Sequence, residues 1–248
     1  MFTRSPRGGK PPVIDNELIN KFLDNCKTAK IKNYYVHTPY FINLASGKSE
    51  LRKNSINLVR EELERSNKLK VKYIMTHIGS SAGMDRDQAI DNVISSIKEI
   101  LKNYKGETKL LLENTAGQGH TIGIRFEEIA EILHKVDYDE LGVCLDTAHM
   151  FASGYDLRTK QNIDDLVDII SNTVTLSKIK LIHGNDSKVD FNSKKDRHEH
   201  IGKGKIGIGG FKFILKNKYL SKFDMIVETP PDGVEEDIKI LKKLRNGS

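Results

Sequence analysis

Cysteine is nearly absent. Cys26 and Cys144, the only two in 248 residues, are too few for a disulfide framework and point to a reducing compartment. No stretch has the apolar length of a bilayer span, and the opening residues MFTRSPRGGKPP lack the apolar core of a secretory signal. A cytoplasmic location is therefore expected. No internal repeat, low-complexity tract or linker divides the chain, so residues 1–248 read as a single domain. No phosphate-cradling P-loop and no Ser–His–Asp arrangement is visible. The glycine-rich GIGIGG near Gly204–Gly210 follows no expected strand and is not a nucleotide fingerprint. Histidine is scarce too, at eight residues, which makes its placement informative.

Six short apolar runs each stop on a residue that can bind a metal. YYVH ends on His37, YIMTH on His77, LLLE on Glu113, GVCLD on Asp146, LIH on His183 and MIVE on Glu228. An Asp after a strand is commonly a helix N-cap, and Asp146 alone would be read that way. Its recurrence at one end of every strand favours a metal. Cys144 lies inside an apolar run and is expected in the core.

Between these runs the hydrophobic spacing changes to that of helices. Helices are expected from a cap at Asp15 or Asn16 to about Thr28, from a cap at Ser49 to about Asn67, and over about Asp87–Tyr104, Phe126–His134, Asn162–Thr173, Phe211–Lys216 and Val234–Leu244. Strands are expected over Tyr34–His37, Val71–Thr76, Lys109–Leu112, Gly142–Leu145, Ile179–Ile182 and Met225–Val227, with Met1–Phe2 as a seventh fragment. A loop is expected from the end of the fourth strand to Lys160, and a long polar one from Ile182 to Gly210. Alternating strands and helices imply a parallel sheet with helices outside. The longer, chemically richer loops follow the strands, as in a (β/α) barrel whose site gathers at the C-terminal strand ends.

Nine residues collect at that end: His37, His77, Glu113, Asp146, His149, His183, Asp196, His198 and Glu228. Asp196 and His198 alternate, which puts both on one side of an extended segment. Imidazole and carboxylate without thiolate favours zinc or a similar divalent ion at water-accessible sites. At about three protein ligands per ion, nine ligands suggest two or three ions. Clustered divalent ions in an open pocket suit hydrolysis of a phosphate ester. The formal charge of +6 and a pI near 9.1 permit a polyanionic partner.

The segments HTPYFINLAS, THIGSS, LLLENTAGQG, GVCLDTAHMFASGYDLRT, IHGNDSK, DRHEHIGKGKIG and VETP resemble, in order, the signature segments of the endonuclease IV type of apurinic/apyrimidinic (AP) endonuclease. The resemblance implies a TIM-type barrel with three zinc ions, manganese being possible at one. His37 and His77 would hold one ion, with Glu113 bridging it to a second that is completed by Asp146, His183 and Glu228. His149, Asp196 and His198 would hold the third. The implied activity is hydrolysis of the phosphodiester 5′ to an abasic site in duplex DNA by a monomer, leaving a 3′-hydroxyl and a 5′-deoxyribose phosphate. Glu113, Glu228 and His149 would carry the chemistry. Tyr40 and Arg7 would enter the duplex, Arg197 would contact it, and the basic loop Lys188–Lys205 would form a backbone-binding rim.

The resemblance starts after the family's first strand and helix. The expected fold is thus an α/β TIM-type barrel without its first βα unit. Where the family has Pro-Gly-Ser after the second histidine, this chain has Ile78-Gly79-Ser80, and Gly8–Gly9 replaces an aromatic near Arg7. Two rival readings remain: a DNA- or zinc-binding relative that does not cut, and a metal-dependent sugar isomerase or epimerase on the same architecture. The Asp196–His198 pair, Tyr40, Arg7 and the basic pI speak against the latter.

Overall fold

The computed structural model describes residues 1–247, which form two compact units. The first comprises residues 1–112 and 134–142. Its sheet is parallel, with β1 (Tyr35–His37) beside β2 (Tyr73–Thr76) and β2 beside β3 (Lys109–Glu113); Val36 faces Ile74, and Ile74 faces Leu110. These strands are buried on both faces, which is why they are apolar runs rather than alternating ones. No strand is assigned at Met1–Phe2, but the segment lies against β1. The Met1 amine donates to the Tyr35 carbonyl at 2.9 Å, and the His37 N–H donates to the Met1 carbonyl at 2.9 Å.

Helix α1 (Asn16–Thr28) is capped by Asp15, whose carboxylate accepts the Leu18 N–H. It buries only Cys26. Helix α2 (Ser49–Lys68) packs on α3 (Arg86–Leu101), which turns Ile90, Val93, Ile94, Ile97 and Ile100 inward. The start of the chain is pinned to α2 by a buried charge cluster. Glu62 accepts from the Thr3 hydroxyl at 2.5 Å and from Arg4 at 2.6 Å, while Arg65 donates to the Thr3 carbonyl.

The second unit comprises residues 113–133 and 143–248, described to 247. Its parallel strands are β4 (Gly142–Asp146), β5 (Ile179–His183) and β8 (Asp224–Ile226), with β5 pairing both others. A two-residue antiparallel pair, β6 (Asp186–Ser187) and β7 (His198–Glu199), braces the long loop. Helices α4 (Phe126–Val136), α6 (Lys160–Asn172), α7 (Gly207–Lys216) and α8 (Val234–Asn246) fall near the expected spans. Phe126, Phe151 and Phe211 are the largest side chains fully buried in this unit.

Three differences from the sequence expectations matter for the site. First, residues after β4 are not a loop: α5 (Thr147–Ser153) starts directly on the strand and ends at Gly154, which adopts φ 112°. Its seven residues are all buried, so packing, not length, supports it. Second, α7 begins at Gly207, earlier than its glycines suggest. Third, the polar loop after β5 contains the β6–β7 pair. Cys144 is in the core, as expected, and burial pushes its thiol up to about 12. Among the described residues no helix is long and apolar enough to cross a membrane.

Candidate metal centre

Each strand delivers its donor for a local reason. β1, β3, β4 and β5 have His37, Glu113, Asp146 and His183 as their last residues; His77 follows β2, and Glu228 lies two residues past β8. In the first unit the His37 and His77 rings meet edge to face, with centroids 5.0 Å apart. His37 Nδ1 lies 2.6 Å from the Thr38 carbonyl, which it meets as a donor, so in the neutral ring Nε2 carries the lone pair.

In the second unit, ligand atoms of Glu113, Asp146, His183 and Glu228 all lie within 4.8 Å of one another, and so do those of Asp146, His149 and His198. Asp146 therefore belongs to both groups, where the resemblance assigned it to one. It is also the N-cap of α5: Oδ1 accepts the His149 N–H at 2.8 Å. Capping and metal-binding geometry coexist because a carboxylate has lone pairs for both. Asp196, 41% exposed, closes on this cluster from the loop, its oxygens 3.1 Å from His149 Nε2 and 3.3 Å from His198 Nε2.

The imidazoles are pre-oriented. His149 Nδ1 sits 2.9 Å from the Asn114 carbonyl and His198 Nδ1 sits 3.2 Å from the Glu228 carbonyl. With Nδ1 donating to a carbonyl, Nε2 of each ring faces the cluster, as metal-binding histidines require. His183 is turned the other way, its Nδ1 3.0 Å from Glu113 and 3.1 Å from Glu228.

The electrostatics match a cation pocket. Burial would lower the histidine values, but neighbouring carboxylates outweigh it. Asp146, Asp196 and Glu113 raise His149 to about 10, and Asp146 and Asp196 raise His198 to about 9. His183 is likewise raised, against its burial, by Cys144, Glu113 and Glu228. Burial would raise the Asp196 carboxyl, yet hydrogen bonds from His149 and His198 hold it well below the usual range. All-N/O donors, clustered carboxylates and imidazoles of fixed orientation fit divalent ions such as zinc.

The chain matches the family model described as a xylose isomerase-like TIM barrel over residues 1–244. It is 39% identical over 240 residues to a probable endonuclease 4 of Aquifex aeolicus, covering 96% of this chain and 85% of that protein. The chain belongs to the endonuclease IV family. A probable endonuclease 4 from a Sulfurihydrogenibium species is 40% identical over 247 residues, covering 98% of this chain and 88% of its own length. The crystal structure of endonuclease IV from Thermus thermophilus superposes with a TM-score of 0.87 at 28% identity, covering 100% of this chain and 88% of that one. The TIM-type α/β fold expected from the sequence is thus that of its family.

Outside the donor set, the endonuclease IV resemblance singled out three residues. Tyr40 is 59% exposed, its ring edge-on to Phe2 at 5.5 Å and tilted against His37 at 6.1 Å. Arg7 is exposed in the opening loop. Arg197 is exposed between Asp196 and His198 and donates to the Asp196 carbonyl.

Sequence reasoning missed the residues that hold the donors. Asn114 clamps Asp146 by both backbone groups, accepting its N–H at 2.7 Å and donating to its carbonyl at 3.3 Å. Gln118 accepts the Asp196 N–H at 3.1 Å. Asp186 gathers the backbone N–H groups of Ser187, Gly202, Gly204, Ile206 and Gly207. For Asn114 and Asp186 the one visible signal was adjacency: Asn114 follows a donor, and Asp186 follows His183 by three residues.

Proposed function

We propose that this chain is a zinc-dependent AP endonuclease that hydrolyses the DNA phosphodiester 5′ to an abasic site. The observation that carries the reading is the convergence of seven second-unit donors, with the His149 and His198 imidazoles pre-oriented by backbone carbonyls, in an endonuclease IV family chain. Three ions are proposed. His37 and His77 hold one with Glu113; Glu113, Asp146, His183 and Glu228 hold the second; His149, Asp196 and His198 hold the third.

Divalent ions held by these donors would supply hydroxide near neutral pH and offset the charge on a departing alkoxide. The chain's residues do the rest. Glu113 and Glu228 flank His183 and orient the attacking water. His149 and His198, fixed by their Nδ1 bonds, face the departing 3′ oxygen with Asp196. Tyr40 and Arg7 enter the duplex at the lesion, where extrusion is cheap because one base is already missing. Arg197 and the Lys188–Lys205 rim hold the phosphates. The protein acts as a monomer and as one barrel domain, and manganese can replace zinc at one site.

The test is incision of a duplex carrying one tetrahydrofuran abasic analogue by the 248-residue chain with added zinc. A nick on the 5′ side, absent in Glu113→Ala, supports the reading. No nick from a folded, zinc-loaded chain would replace it with that of a binding relative.

A further inference from the structure

We propose that Asn185 is a positioning residue that locks two metal donors from different strands, Asp146 at the end of β4 and Glu228 after β8, into one geometry. The inference deepens the metal-centre reading and rests on it. Asn185 is fully buried, as are Asp146 and Thr147. Its side-chain amide donates to Asp146 Oδ2 at 2.6 Å, and its side-chain carbonyl accepts the Glu228 N–H at 2.7 Å. The partners fix which end is which: a backbone N–H can only donate, so the amide nitrogen must face the carboxylate.

The main chain of Asn185 is held equally firmly. Its N–H donates to the Thr147 hydroxyl at 2.8 Å, and that hydroxyl donates back to the Asn185 carbonyl at 2.6 Å. Every polar group of Asn185 is therefore engaged, and Thr147 is the residue next to Asp146. The two oxygens of Asp146 are each tethered once, Oδ1 by the His149 N–H and Oδ2 by Asn185. Two tethers stop the carboxylate from rotating, so the lone pairs left over point in set directions. The acceptor end of the same amide sets the position of the Glu228 backbone. An asparagine is required because the position must donate to a carboxylate and accept from an N–H within one planar group. Aspartate has no donor for Asp146, and an aliphatic side chain has neither group.

The test compares Asn185→Ala with the parent chain and with Ser96→Ala. The Ser96 change deletes a buried hydroxyl bonded to the Leu44 and Asn92 carbonyls in the first unit, and serves as a control for general loosening. Zinc per chain after dialysis and zinc affinity against a chelator are read first, then kcat and KM on the abasic duplex. Asn185→Ala is expected to weaken zinc binding about 10- to 100-fold and to lower kcat by a similar factor, with KM within about threefold. Ser96→Ala should keep parental zinc. If the metal-free Asn185→Ala chain lacks the parental far-UV spectrum, Asn185→Ser replaces it, its hydroxyl and a water filling the vacated volume. Parental zinc affinity and kcat in a folded Asn185 variant overturn the proposal. So does equal zinc loss in Ser96→Ala. A parent chain that binds zinc but leaves abasic DNA intact fails the functional reading alone; the lock is then judged on zinc.

Discussion

Replacing Asp186 by Asn changes one atom and should loosen the entire loop that carries Asp196 and His198. In the native chain Oδ1 accepts from Ser187 at 2.8 Å, Ile206 at 3.0 Å and Gly207 at 3.4 Å. Oδ2 accepts from Gly202 at 2.9 Å, Gly204 at 3.1 Å and Gly207 at 3.2 Å. Whichever oxygen becomes the amide nitrogen, an N–H pair is driven against at least two other N–H groups. A hydrogen bond to a charged group is worth about 1.5–3 kcal/mol, and at least two are lost, with donors that are buried or part-buried on the Oδ1 side and part-buried on the Oδ2 side. Because such losses are not additive, the expected cost is about 3–5 kcal/mol. That is a large share of the roughly 5–15 kcal/mol that holds a typical protein together. The midpoint of urea unfolding should fall by about 1 M or more, for a slope of about 3 kcal/mol/M. Trypsin should also cut sooner at Lys203 and Lys205, because both sit on the segment that Asp186 organises. An unchanged midpoint together with an unchanged cleavage rate would refute the assignment of Asp186 as the loop's anchor.

Four further outcomes are expected. His149→Ala should lower incision by at least about a hundredfold while DNA affinity changes little, since it removes a donor facing the leaving oxygen; equal loss of both would indicate a collapsed fold. Ala at Lys195 or Lys203 should each reduce the salt slope of DNA binding by about 0.9 if the side chain meets a phosphate, and an unchanged slope would take that residue out of the footprint. Zinc uptake at pH 7.5 should release protons, measured calorimetrically in buffers of different ionisation enthalpy. His149 and His198 are raised to about 10 and about 9, so protonation favours the metal-free fold. That contribution is full below the unfolded value of about 6.5 and is lost as pH rises through about 9 to 10, so zinc affinity climbs over the same window. No buffer dependence would contradict this. Gly79→Ala should destabilise by about 2 kcal/mol or more in thermal melts, because φ is +115° and a Cβ would sit 2.3 Å from Asn43 Oδ1; a neutral substitution would mean that the turn after His77 shifts freely.

The donors at the strand ends were legible because a buried parallel strand leaves little choice of residue until its last position. A histidine or carboxylate there stands out against Val, Ile and Leu. Helix α5 was not legible: seven residues containing AHMFAS carry no helical period, and the helix exists because every one of them is packed. The start of α7 was hidden by glycines whose low helix propensity is outweighed by the bonds Asp186 makes to Ile206 and Gly207. Asn114, Asn185 and Asp186 read as ordinary loop residues, since a polar residue after a strand is common. Only their burial and their partners distinguish them.

Because α5 leaves β4 without an intervening residue, the register between Asp146 and His149 is set by helix geometry rather than by a loop. Each residue advances the helix by about 100° and 1.5 Å. Deleting Ala148, or adding one residue beside it, would swing the imidazole about 100° around the axis, off the Asn114 carbonyl and away from Asp196. Substitutions between the two donors can be absorbed by repacking, whereas a change in length cannot. The Asp-Thr-Ala-His stretch is therefore a ruler, and what it tolerates is fixed by the count of residues before it is fixed by their identity.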